Sequence, residues 1–220
     1  GSADILEANG VKIDLSPEGV KRCMDEVGMG FMFAPVFHPA MRHAAVPRRE
    51  IGIRTVFNIL GPLTNPAGAH AQLLGVADPG LGEKMARALA HLGTQRAMVV
   101  HGADGMDEIS ISGPTRVWEL ADGKVRTHTI TPEEVGLPSS PLDSIKGGSL
   151  EHHKEMFLSV LQGVPGPAQD VVALNAAAAL VLGGKARDLK EGIALAKKAI
   201  ASGAARKKLE DLASLSQKLS

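Results

Sequence analysis

The segment between residues 72 and 100 reads QLLGVADPGLGEKMARALAHLGTQRAMVV, and its pattern decides the fold. Short apolar runs at its two ends, residues 72–77 and 96–100, are typical of buried strands. Between them, apolar side chains recur at helical spacing from Leu81 to Leu92. A helix between two strands indicates a crossover, and strands joined by a crossover pair in parallel. The segment therefore predicts an α/β fold.

The sequence that follows predicts a hairpin. Residues 116–120 and 125–130 alternate between apolar and polar side chains around Asp122 and Gly123. An Asp-Gly pair between two alternating runs is a strong signal for a two-residue type I′ turn. Because the strands of a hairpin are antiparallel, we expect a mostly parallel but mixed sheet flanked by helices.

Helices are predicted at both ends of the chain. Ser16, Pro17 and Glu18 supply an N-cap, a first-turn proline and a first-turn acid, and Gly28 ends the helix that they begin. An earlier helix is expected over residues 3–8, with Ser2 as its N-cap. Residues 31–66 are broken by prolines and predict loop or interrupted helix. The last third predicts four helices, at 150–161, 168–182, 189–200 and 204–219.

The composition limits the kinds of partner. With 220 residues, 44% of them hydrophobic, the chain can bury one core, or one core with a small helical annex. No long linker divides it, so we expect a single catalytic domain over residues 1–220. The 24 basic and 24 acidic residues balance, which disfavours nucleic acid and anionic membranes. No apolar run is long enough to span a bilayer. The single cysteine, Cys23, suggests a reducing compartment and hence the cytoplasm.

One acidic pair follows the second predicted strand. Asp107 and Glu108 stand after Gly102 and Gly105, beyond the carboxyl end of that strand, where open α/β sheets bind their ligands. Carboxylate oxygens are the hard ligands that Mg²⁺ prefers. The pair is therefore a candidate site for a phosphate-bound Mg²⁺. The alternative is a solvated acidic loop, and the residues alone favour that alternative.

Four other residues are candidates for ligand binding. Arg48 has a guanidinium suited to a carboxylate or phosphate. Pro62 belongs to a rigid, proline-rich turn that can wall a pocket. His38 stands before a proline, and Ser2 stands at a helix start, which offers N–H groups to an anion. Each has an ordinary structural explanation: a solvated arginine, a stiff connector, a packed histidine and a helix end.

Four segments together resemble a known family in their order and spacing. The segments are GSADILEA at 1–8, HPAMR at 38–42, GIRTVFNILGPLTNP at 52–66 and GMDEIS at 105–110. They are similar to the anthranilate phosphoribosyltransferases, and the similarity extends to about Ala201. The resemblance implies a catalytic domain of the nucleoside phosphorylase and phosphoribosyltransferase type.

The resemblance also implies a reaction in tryptophan biosynthesis. The amine of anthranilate displaces pyrophosphate from 5-phosphoribosyl 1-pyrophosphate (PRPP) and gives phosphoribosyl-anthranilate. The resemblance implies that Arg48 binds the anthranilate carboxylate and that Ser2 contacts the donor. It also implies that Pro62 and His38 line the acceptor pocket and that the acidic pair binds Mg²⁺. No residue is assigned as a proton-transfer catalyst, because the neutral amine is already a nucleophile and needs no strong base.

The chain departs from the family in one respect. The family's Gly-Thr-Gly-Gly-Asp phosphate loop, its Lys-His-Gly-Asn segment and the helices that form most of its homodimer contact would all precede Gly1. We therefore expect this chain to be inactive, or nearly so, when it is alone. Three alternatives remain: a pyrimidine nucleoside phosphorylase, a transferase-inactive relative that binds nucleic acid, and a non-catalytic interaction domain.

Overall fold

A computed structural model describes residues 1–38 and 61–219 of the chain. Its helices, in chain order, are α1 (Ser2–Ala8), α2 (Pro17–Val27), α3 (Ala34–Phe37), α4 (Gly82–His91), α5 (Leu150–Leu161), α6 (Pro167–Leu182), α7 (Leu189–Ala201) and α8 (Ala204–Ser216). Its strands are β1 (Ala71–Gly75), β2 (Arg96–Gly102), β3 (Thr115–Ala121) and β4 (Lys124–Ile130).

The chain falls into two compact units. Unit 2 comprises Pro62–Lys146 and Gly163–Ala201 and contains the whole sheet. Unit 1 comprises the described parts of Gly1–Gly61, Gly147–Gln162 and Ser202–Ser220, and its regular elements are helices. A helical annex was one of the two arrangements that the composition allowed. The single catalytic domain over residues 1–220 stays a prediction.

The sheet of unit 2 is mixed, as predicted. Its strand order is β1-β2-β3-β4. β1 pairs with β2 in parallel, with Leu73 opposite Met98, whereas β2 with β3 and β3 with β4 are antiparallel. In the part of the chain that the structure describes, one strand pair of three is parallel, fewer than the mostly parallel sheet that was expected, because β3 returns antiparallel to β2 without a helical crossover. The hairpin is confirmed, since Asp122 and Gly123 have φ of 51° and 70°, as a type I′ turn requires.

Helices cover both faces of the sheet. α4 buries Met85, Ala86 and Leu89, and its first residue, Gly82, lies so close to Trp118 that an added Cβ would be 2.2 Å from the indole ring. Val117, the neighbour of Trp118 in β3, points to the other face and joins the core that α6 completes. The predicted crossover and the predicted helices on the sheet are thus confirmed.

Unit 1 has a core of its own. Val20, Cys23 and Val27 of α2 are buried with Leu212 of α8, and the Lys208 ammonium donates to the Val27 carbonyl. α2 is as predicted: the Ser16 hydroxyl accepts the Gly19 N–H at 3.2 Å, and Gly28 ends the helix in the left-handed region. The Cys23 thiol is free and buried in this core.

Several helix ends differ from the predictions by one residue, and the end of the last helix differs by three. Gly1, not Ser2, is the N-cap of α1, so the prediction for Ser2 was wrong by one residue. The physical reason is that the Asp4 carboxylate accepts from the backbone nitrogen of Gly1 and closes the first turn one residue earlier. α8 ends at Ser216 rather than Leu219. None of the helices in the described part of the chain is long and apolar enough to cross a membrane.

Candidate metal and phosphate site

The candidate site is the loop that connects β2 to β3. It begins with a tight turn in which Gly102 donates its N–H to the Met106 carbonyl at 2.8 Å and accepts the N–H of Gly105 at 2.9 Å. Gly105 has φ of 92°, a value that side chains with a Cβ rarely adopt. The turn therefore needs glycine at position 105, and it leads directly into the acidic pair.

Asp104 organises this loop, a role that the sequence analysis did not assign. Its carboxylate accepts the Ser110 hydroxyl at 2.5 Å, the Ser112 hydroxyl, and the Met106 N–H at 3.1 Å. Desolvation raises the pKa of Asp104, but the two serine hydroxyls and the backbone N–H groups lower it by more, so the net pKa lies below its ordinary value. The only sequence signal was an acid followed by two serines six and eight residues later.

Asp107 and Glu108 project from the loop as exposed residues. Neither side chain makes a hydrogen bond or ion pair with another residue in the described ranges 1–38 and 61–219. The backbone of Asp107 is held against the last residue of β1, because a Cβ on Gly75 would lie 1.5 Å from the Asp107 carbonyl oxygen. The main chain is thus closely packed while both carboxylates remain available to a ligand.

The two carboxylates affect each other electrostatically. Desolvation of the carboxyl group raises the pKa of Glu108, and the neighbouring negative charge of Asp107 raises it further. A bound cation would relieve this repulsion. Within the described residues, no group of three or more His, Cys, Asp or Glu side chains could hold a metal ion. Two carboxylates fit Mg²⁺, which keeps several waters and binds through one or two carboxylates plus substrate phosphates.

Pro62 lies elsewhere in unit 2. It belongs to the helical residues 61–63, and its carbonyl accepts the Gln72 side-chain amide at 3.1 Å. With Leu63, His70 and Gln72 it lines a cleft of about 330 Å³. Gln72 is near the amino end of β1, whereas Gly75, which touches Asp107, ends that strand. Pro62 and the acidic pair are therefore associated with opposite ends of β1.

The remaining candidates lie outside unit 2. Ser2 is the exposed first residue of α1, and His38 is a half-buried residue that follows α3 and donates its N–H to the Ala34 carbonyl at 2.9 Å. Arg48 lies outside the described residues. The role that the resemblance assigns to Arg48 therefore stays a prediction.

The chain is similar in sequence to one family of transferases. The family described as "Glycosyl transferase family, a/b domain" matches residues 1–206. The chain belongs to this family. It is 55% identical over 219 residues to the anthranilate phosphoribosyltransferase of Symbiobacterium thermophilum, and the match covers 100% of the chain and 64% of that enzyme. The resemblance predicted from the four segments is confirmed, and the chain spans about 64% of the length of this relative.

Solved structures of this glycosyl transferase family agree with the fold. The anthranilate phosphoribosyltransferase of Thermus thermophilus superposes with a TM-score of 0.92 at 49% identity, over 99% of this chain and 64% of that one. The Saccharomyces cerevisiae enzyme, solved in complex with PRPP and Mg, superposes with a TM-score of 0.90 at 28% identity, over 100% and 63% of the two chains. The yeast enzyme has also been solved with 4-fluoroanthranilate.

Proposed function

We propose that this chain carries part of the catalytic site of an anthranilate phosphoribosyltransferase, a pentosyltransferase of tryptophan biosynthesis. The reaction transfers the phosphoribosyl group of PRPP to the amine of anthranilate and releases pyrophosphate. The observation that carries the proposal is the exposed Asp107-Glu108 pair, which has no protein partner among the described residues and sits on a closely packed loop. The ligands in the yeast structures support the same choice of donor and acceptor.

The acidic pair is proposed to hold Mg²⁺ together with the pyrophosphate of the donor. When bound, Mg²⁺ neutralises the negative charge that develops on the leaving pyrophosphate. Asp107 and Glu108 supply carboxylate oxygens, and their main chain is kept in place by Gly75 and by the turn at Gly105. The pKa of Glu108 is raised first by desolvation and then by the negative charge of Asp107, and a bound cation would offset the second of these two effects.

The acceptor and the phosphoribosyl group are proposed to contact other parts of the chain. Arg48 holds the anthranilate carboxylate, Pro62 and His38 line the acceptor pocket, and Ser2 contacts the donor. The lone pair of the neutral amine forms the new N–C bond as the C–O bond to pyrophosphate breaks, and the nitrogen then loses one proton to solvent. Because this nucleophile needs no strong base, positioning and charge stabilisation supply most of the rate. No residue is therefore proposed as a proton-transfer catalyst.

The cellular location, oligomeric state and partners of the protein belong to the same proposal. The balanced charge supports a protein that binds neither nucleic acid nor anionic membranes, and the buried free thiol of Cys23 supports a cytoplasmic location. The homodimer is proposed from the family resemblance alone.

Thermal unfolding of the chain with Mg²⁺ and PRPP, together and separately, tests the proposal. A ligand at about 100 times its Kd stabilises the folded protein by about 2.7 kcal/mol. We expect a Mg²⁺-dependent rise in Tm with PRPP that disappears in the double variant Asp107→Asn/Glu108→Gln. The matched control is Glu133→Gln/Glu134→Gln, which removes the same two charges from another exposed adjacent pair.

The control should keep the full rise in Tm. Two results would count against the proposal: no Mg²⁺-dependent rise in the unmodified chain, or an equal rise in the Asp107→Asn/Glu108→Gln variant.

A further inference from the structure

One side chain of α6 bonds to the loop immediately after the acidic pair. The Asn175 side-chain oxygen accepts the Ile109 N–H at 3.0 Å, and its Nδ2 donates to the Ile109 carbonyl at 2.9 Å. Nδ2 also donates to the Val171 carbonyl, one turn earlier in α6, at 3.0 Å. The orientation of the amide is defined, since its oxygen faces an N–H group and its nitrogen faces two carbonyls.

Ile109 is fully buried and lies outside any strand or helix. Its backbone N–H and carbonyl would be costly to bury without partners, and Asn175 satisfies both. The 66 residues between the two positions make this a tertiary contact. Glu108 therefore precedes, in the chain, a residue that Asn175 of α6 holds in place. The backbone of Asp107, on the other side of Glu108, is packed against Gly75.

Asparagine is an unfavourable residue for the interior of a helix. It has a lower helix propensity than alanine, and the next four residues, 176–179, are all alanine. Packing alone would be served by another alanine. The amide is useful here for the bonds to Ile109, whose effect is to fix the backbone from which Glu108 and Asp107 project.

We propose that Asn175 is a positioning residue for the metal site and acts through Ile109 to aim the two carboxylates at a shared Mg²⁺. This inference rests on the proposed function, because it assumes that the acidic pair binds the metal. Asn175 itself touches neither metal nor substrate. Removing a residue that orients metal ligands typically lowers metal affinity about 10- to 100-fold.

The test is a calorimetric titration of Mg²⁺ in the presence of PRPP, with the unmodified chain, Asn175→Ala and a matched control. Leu182→Ala is the control, because Leu182 is a buried residue of the same helix in the same core. It lowers stability by loss of packing without removing a bond to the loop. At temperatures where all three proteins are folded, Asn175→Ala should weaken Mg²⁺ binding about 10-fold or more, and Leu182→Ala should not.

Amide hydrogen exchange adds a readout that does not require the metal. The Ile109 amide should exchange faster in Asn175→Ala than in Leu182→Ala. Should Asn175→Ala fail to fold, Asn175→Asp replaces it, since an aspartate retains an acceptor for the Ile109 N–H but has no donor for the two carbonyls.

The outcomes separate this inference from the proposed function. Wild-type Mg²⁺ affinity in the Asn175 variant, or equal losses in it and in Leu182→Ala, would overturn the inference. If Asp107→Asn/Glu108→Gln abolished binding at the same time, the proposed function would still stand. If the unmodified chain bound no Mg²⁺ with PRPP, the proposed function would fail, and the inference with it.

Discussion

At the scale of single residues, two acids of the β2–β3 loop have opposite environments. Asp104 faces inward and accepts bonds from Ser110, Ser112 and Met106, which lower its pKa, whereas Glu108 is desolvated beside Asp107, and its pKa is raised. Asp104 therefore has a structural role, and the acidic pair remains available for a ligand. Both kinds of acid carry the same charge in the sequence, and only their hydrogen-bond partners distinguish them.

Substitution of Asp104 should show this role as a pH-dependent loss of stability. Because its folded pKa lies below the unfolded value of about 3.9, the carboxylate stabilises the fold above that pH. The contribution is lost as the pH falls through the folded pKa. Asp104→Ala leaves the Met106 N–H and the serine hydroxyls without their acceptor, and should lower the free energy of unfolding by about 1–3 kcal/mol near pH 7. The difference from the unmodified chain should shrink in acid.

Urea unfolding between pH 3 and pH 7 measures this effect. Asp143→Ala is the control, since Asp143 also has a lowered pKa but is an exposed residue paired with Lys146. The control should change stability little at any pH. A loss in Asp104→Ala that is no larger than in the control, or that is the same at pH 3 and pH 7, would contradict the structural role.

At the scale of elements, the end of β1 and the β2–β3 loop depend on each other. The missing side chain of Gly75 allows the Asp107 carbonyl to lie where a Cβ would otherwise be. Gly75→Ala should force the loop away from the strand and destabilise unit 2 by about 1–3 kcal/mol, the usual range for overpacking. The displaced loop should also bind Mg²⁺ with PRPP more weakly, as a titration of the variant would show.

Gly113→Ala is the matched control for Gly75→Ala. Gly113 lies in the β2–β3 loop with Asp107, but a Cβ added to Gly113 has no atom within 4 Å. The two variants carry the same chemical change at sites with and without space for it. Equal stability and equal Mg²⁺ affinity in the two variants would show that the approach of Asp107 to β1 is unimportant.

Local signals predicted elements well and the bonds between them poorly. Ser16 with Pro17, and Asp122 with Gly123, specify a helix start and a turn within a few residues, and the structure confirms both. The resemblance and the position after β2 pointed to the acidic pair. Nothing local pointed to Asn175 or Gly75, because their roles come from atoms 66 and 32 residues away in the chain. The N-cap of α1 was missed for a different, local reason, because the Asp4 side chain, three residues later, accepts from the Gly1 nitrogen.

At the scale of the whole molecule, each of the two compact units has buried apolar clusters among its described residues, and the clusters around α6 and α8 lie in different units. Leu174 of α6 is buried in the core of unit 2, and Leu212 of α8 is buried in the core of unit 1. Truncating a buried leucine to alanine typically costs about 2–5 kcal/mol. If each unit is stabilised mainly by its own core, Leu174→Ala and Leu212→Ala should each accelerate amide hydrogen exchange first within the unit that carries the substitution.

Hydrogen exchange followed by mass spectrometry resolves the two units. Leu92→Ala is the control, because Leu92 is 62% exposed and its truncation creates no cavity, so exchange should change little in either unit. Equal acceleration throughout the chain in both core variants would mean that residues 1–220 open as one cooperative domain. If Leu212→Ala accelerated exchange only within unit 1, α8 would be shown to stabilise the N-terminal helices, although α8 follows the sheet by more than seventy residues. That second result is the one expected from the burial of Cys23 and Leu212 in one cluster, since a core protects the residues that contribute to it.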